Sequence, residues 1–115
     1  MPAATDPSAS RLRPVDYVSG PWPRGTVQRQ PGTSEADTYA AEQVVRLVRE
    51  LIARRKRRGL RRSQLAAMTG LRPNTVSDLE NGQTWPDLRT VALIAWALEA
   101  DLEFVGREGQ RVRDG

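Results

Sequence analysis

Between Pro73 and Gly82 the chain reads PNTVSDLENG, and four short hydrogen-bonding side chains recur in it at one helical spacing. Asn74, Ser77, Asp78 and Asn81 stand at i, i+3, i+4 and i+7, so a helix from Pro73 carries them as a single polar stripe. Val76 and Leu79 form a narrow apolar stripe on another face. A merely solvated face would do with charges and long flexible chains. Short amides, hydroxyls and carboxylates instead present fixed donor and acceptor patterns, which is the chemistry of recognition. Catalysis is not indicated. The chain has no cysteine and no histidine, which excludes a disulfide framework and thiolate metal sites and removes the commonest general base and metal ligand. No glycine-rich phosphate cradle is present, so neither an enzyme nor a cofactor is expected.

The net charge is only +4, but it is unevenly placed. Residues 46–72 hold ten basic residues and one acid, Glu50, a local +9, whereas residues 73–105 hold six acids and one base, Arg89, a local −5. A basic block of this size suits an anionic partner, nucleic acid before membrane. The plainer alternative is a set of late-helix cations that complement the helix dipole and stay solvated. The longest apolar run, VALIAWAL at 91–98, is too short to span a bilayer. The first residues, MPAATDPSAS, lack the basic and apolar regions of a signal peptide, so a cytoplasmic protein is expected.

The elements that position the polar stripe follow from periodicity and punctuation. Six of the eight prolines lie in residues 1–34 with few aliphatics, which predicts a disordered arm; Val15, Tyr17, Val18 and Trp22 are the residues there able to dock on the domain or a partner. From Glu35 a long helix is predicted, with Val44, Val45, Leu47, Val48, Leu51 and Ile52 inward and Gly59 as its stop. A short helix over about Ser63–Thr69, with Leu65, Ala66 and Met68 inward, leads to a Gly70-Leu71 turn. The helix from Pro73 ends at Asn81-Gly82. Asp87 caps a fourth helix carrying Leu88, Val91, Ile94, Ala95 and Leu98. Trp96 is expected in the core or a dimer interface, and Trp85 over the helix junction. Leu102, Phe104 and Val105 suit a helix end or a short strand that pairs with a second molecule.

The fold class expected is therefore all-α: a bundle of four to five helices, a possible short C-terminal strand and a disordered N-terminal arm. The boundaries are 1–34 for the arm, 35–105 for the helical domain and 106–115 for a flexible tail.

Set beside GLRRSQLAAMTGLRPNTVSDLENGQTWPDLRTVALIAWAL, this order of elements resembles the helix-turn-helix domain of the Cro and phage-repressor (XRE) type. The resemblance covers about Val44–Leu102 and rests on Gly59-Leu60, Leu65-Ala66, Gly70, Val76, Leu79-Glu80-Asn81-Gly82 and Pro86 in register. It implies a dimer on double-stranded DNA with the third helix in the major groove. Carried over by position, Pro73, Asn74, Ser77 and Asp78 fall where such domains touch bases. Asn74 suits a bidentate pair with adenine, and Asp78 can accept from a cytosine amino group. Arg57, Arg58, Arg61, Arg62, Arg72, Thr75, Asn81 and Gln83 fall at or beside backbone contacts. About six phosphates neutralised per dimer would lower affinity by about three orders of magnitude between 50 and 200 mM salt. Three positions depart from the family pattern. Arg72 replaces a Ser or Thr N-cap, Pro73 offers only apolar contact, and Asp78 brings a negative charge towards the phosphates. Asp78 either rejects wrong bases or pairs internally with an arginine such as Arg72. Glu80 is expected to hold the fold by pairing with an arginine.

A simple regulator, autoregulatory and repressing, is the first expectation. An antitoxin that represses its own operon and binds a toxin through the arm or the tail is the second. A protein-interaction adaptor that keeps the fold without reading DNA is the third.

Overall fold

The computed structural model describes residues 11–107; four α-helices and one small sheet make up its regular structure. Helix α1 spans Glu35–Arg57, α2 Arg62–Thr69, α3 Pro73–Glu80 and α4 Leu88–Ala97. Ahead of them lie a 3₁₀ turn, Pro14–Tyr17, and two antiparallel strands, β1 Val18–Ser19 and β2 Thr26–Val27, with Val18 opposite Val27.

Local chemistry accounts for the helix ends. Ser34 Oγ accepts from the Asp37 N–H while the Asp37 carboxylate accepts from the Ser34 N–H, a reciprocal cap for α1. Asp87 caps α4 by accepting from the Thr90 N–H at 2.8 Å. Gly70, at φ 74°, takes the left-handed conformation that ends α2 and turns the chain into α3. Pro73 opens α3, as its fixed φ favours.

All four helices contribute to the core, through Val48 and Leu51 of α1, Leu65 and Ala66 of α2, Val76 and Leu79 of α3, and Val91, Ile94 and Ala97 of α4, with Leu98 just beyond. The narrow apolar stripe of α3 is buried completely. Each such side chain contributes about 1.5–3 kcal/mol relative to exposure, and together they leave the polar stripe facing outward.

Several expectations are corrected. Residues 11–34 are not a disordered arm but a folded strap across α1 and the end of α3; residues 1–10 lie outside the described residues. The strap is held because its few large side chains are all used. Tyr17 is buried, Trp22 packs against the core, and backbone bonds run from Val15 N–H to Gly82 O at 3.0 Å and from Gln28 N–H to Tyr17 O at 2.8 Å. The folded unit thus begins well before residue 35. Met68 and Leu88 are exposed rather than inward, and Trp96, 69 % exposed, is not in the core. Beyond α4, Val105 makes one isolated bridge and no strand forms over residues 100–105; of the expected tail, residues 108–115 lie outside the described residues.

Candidate nucleic-acid interface

Helix α3 presents Pro73, Asn74 and Asp78 to solvent, with Ser77 and Thr75 half-buried beside them. The side chains of Asn74, Ser77 and Asp78 have no hydrogen-bond or ion-pair partner among the described residues, and the Arg72–Asp78 pair does not form. Asn81, at the end of the stripe, is the exception: its Oδ1 accepts from Arg62 at 3.2 Å. A rigid helix therefore displays unspent donors and acceptors on a face that packing does not need. Arg72 supplies no side-chain cap to α3, so its guanidinium is left for other contacts.

Behind this face sits an ion cluster that fixes α3 against α1 and α2. Glu80 is fully buried and receives a forked pair from Arg55, Nε to Oε2 at 2.6 Å and Nη2 to Oε1 at 2.8 Å. Arg55 also donates to Leu60 O at 2.8 Å. Arg62 reaches the same carboxylate, Nε to Oε1 at 3.0 Å, from the first position of α2. This is the fold-holding role expected of Glu80, with two arginines in place of one. The cluster draws Arg62 away from open solvent, although its side chain stays 40 % exposed.

The other cations divide. Arg57, Arg61 and Arg72 are exposed. Arg58 is turned towards the end of α4, where Nη1 lies 3.3 Å from both Ala97 O and Glu99 Oε2. The structure does not bring it to the α3 face, because the C-terminal end of α4 offers both an open carbonyl and a carboxylate.

The loop after α3 is built jointly with the strap. The Trp22 indole N–H donates to Glu80 O at 2.7 Å, and its ring lies against Gly82, where a Cβ would sit 2.6 Å from it. Gly82 also has φ +69°, so glycine is required twice over. Arg13 donates to Gln83 Oε1 and is itself held by Asp16 at 3.0 Å. That guanidinium keeps the Asp16 carboxyl below its usual range. Trp85 and Tyr17 meet edge to face, centroids 6.0 Å apart, and the Trp85 indole N–H donates to Leu12 O at 2.8 Å, so its partners are in the strap and not at the expected helix junction. Sequence reading missed Arg13 and the positioning role of Trp22. The signal available was the cluster Val15, Tyr17, Val18 and Trp22 inside an otherwise apolar-poor segment.

No group of His, Cys, Asp or Glu among the described residues is arranged to hold a metal ion, and no helix there is long and apolar enough to cross a membrane. No curated protein and no solved structure matches the chain. A family model described as helix-turn-helix matches residues 51–105, from the C-terminal third of α1 through Val105, leaving the strap outside it. Residues 51–105 are thus a helix-turn-helix domain of the Cro/C1 type, the XRE family of DNA-binding transcriptional regulators.

Proposed function

We propose that the protein is a sequence-specific regulator that binds double-stranded DNA as a homodimer and represses transcription, its own included. The observation that carries this is the unpartnered polar stripe of α3. Asn74, Ser77 and Asp78 are presented by a helix whose opposite face is locked by Val76, Leu79 and Glu80. In this reading α3 enters the major groove. Asn74 pairs with an adenine, Asp78 accepts from a cytosine, Ser77 bonds to a base edge and Pro73 makes apolar contact. Arg57, Arg61, Arg62, Arg72, Thr75, Asn81 and Gln83 set the register on phosphates. Arg58 is dropped from that set because α4 holds it.

The dimer is supported by α4. Leu88, Ala92 and Trp96 recur every four residues and all are exposed, Leu88 at 75 % and Trp96 at 69 %, giving an apolar stripe on the side of α4 opposite its buried Val91 and Ile94. A twofold dimer on such a face would present two α3 helices to successive half-sites.

The test is fluorescence anisotropy on the DNA upstream of the protein's own coding sequence, against a scrambled duplex, at two salt concentrations. Tight, steeply salt-dependent binding with strong preference for the native duplex is expected; equal weak binding to both overturns the proposal. One observation favours a second reading, an antitoxin whose partner binds beyond α4: Leu102, Phe104 and Val105 are exposed and apolar, Phe104 at 90 %. The strap is less suited to a toxin, since Tyr17 and Trp22 are already used internally. Co-purification of a protein encoded beside the gene, lost on Phe104→Asp, would establish it.

A further inference from the structure

Between the strap and α1 runs a groove of about 450 Å³ that joins the strap to the helix-turn-helix domain. Trp22, Pro23 and Arg24 form one wall, and α1 from Arg49 to Lys56 forms the other. At one end the groove meets Arg62 and Asn81, both in the phosphate-contacting set proposed above. Its charge is one-sided: Arg24, Arg49, Lys56, Arg55 and Arg62 line it with Glu80 as the single carboxylate, a net +4. Glu80 is fully buried and paired with Arg55 and Arg62, which leaves Arg24, Arg49 and Lys56 as the lining cations it does not pair with. Arg49 fastens the strap by donating to Pro23 O at 2.6 Å and Gly25 O at 3.2 Å. It thereby adds its own charge to the groove and holds Arg24 alongside it. Arg24 and Lys56 are exposed and have no ion-pair partner among the described residues.

We infer that this groove receives the sugar-phosphate backbone of DNA flanking the recognised half-site, with Arg24 and Lys56 as its phosphate contacts. The inference rests on the DNA-binding reading above. Its ground is continuity: a backbone lying on Arg62 and Asn81 is led by the same surface onto Lys56 and then onto the strap. Phosphate contacts carry affinity without base information, so the strap extends the footprint and leaves sequence preference unchanged.

The test uses the full chain and two duplexes. One is trimmed to the recognised site, and the other is extended on each side by about half a helical turn, roughly five base pairs. The variants are Arg24→Ala with Lys56→Ala, and Asn74→Ala as the control for base reading; melting curves check that the exposed substitutions leave the fold intact. On the extended duplex the double variant is expected to lose on the order of tenfold in affinity at 100 mM salt. Its log–log salt slope should become shallower by about 2 per protomer. On the trimmed duplex it should match the wild type. Equal affinity and slope for wild type and double variant on the extended duplex would overturn the groove assignment while leaving the DNA reading in place. Failure of the wild type to prefer its own duplex, with Asn74→Ala without effect, would overturn both.

Discussion

Replacing Glu80 by glutamine keeps its shape and removes one charge from the cluster that joins α1, α2 and α3. The carboxylate is wholly buried and the Arg55 side chain only 9 % exposed, so solvent cannot compensate Arg55 once its partner is gone. Arg55 would keep its bond to Leu60 O, and one of its two bonds to residue 80 would face an amide N–H₂. Breaking a buried pair from one side costs about 3–5 kcal/mol, a third or more of the stability of a weak domain. At about 4–8 °C per kcal/mol, the melting temperature should fall by at least about 12 °C. Removing both charges is different in kind, because no ion is then left in a dry site. Arg55→Met with Glu80→Leu should recover most of the loss, with Arg62 released to solvent. Urea unfolding followed by circular dichroism measures the wild type, the single and the double variant. A loss below about 1 kcal/mol for Glu80→Gln at unchanged m-value would refute the reasoning, and so would a double variant less stable than the single one.

Trp22→Ala should cost about 3 kcal/mol, the low end for a large aromatic because Trp22 is half-buried, and should raise proteolytic cleavage within residues 11–34. Gly82→Ala attacks the same contact from the other side, so chemical unfolding of the pair should show a combined cost below the sum of the two. Asn74→Ala and Ser77→Ala should each lower affinity for the native duplex by about 1–3 kcal/mol, roughly 5- to 150-fold in anisotropy, and leave scrambled DNA unaffected. Trp96→Asp should shift the protein from dimer to monomer in analytical ultracentrifugation without loss of helicity. The Asp37 and Asp87 carboxyls accept backbone N–H groups of Ser34 and Thr90, which holds both below the usual carboxylate range. Their stabilisation is therefore fully present above the unfolded value near pH 4 and lost as pH falls through the lower folded values. Thermal melts should show this as a decline beginning below about pH 4, blunted in Asp87→Asn.

The sequence by itself determined the helical half of the molecule because the signals there are local. The 3.6-residue spacing of Val45, Val48 and Leu51, the left-handed turn at Gly70, proline at the start of α3 and the Asp87 cap each act within a few residues, and each is found where periodicity places it. The polar stripe was legible for the same reason, since helical geometry alone sets Asn74, Ser77 and Asp78 on one face. Tertiary structure decided what depends on residues far apart in the chain. Arg55 and Glu80 are 25 positions apart, and only the packing of α1 on α3 joins them and recruits Arg62. Arg58 looks like its basic neighbours in the sequence, yet the end of α4 claims it. The strap was missed because its proline-rich composition argues for disorder. What orders it is a set of distant acceptors and surfaces, Glu80 O and Gly82 among them, 58 or more residues away from Trp22 and unavailable until the helices have packed.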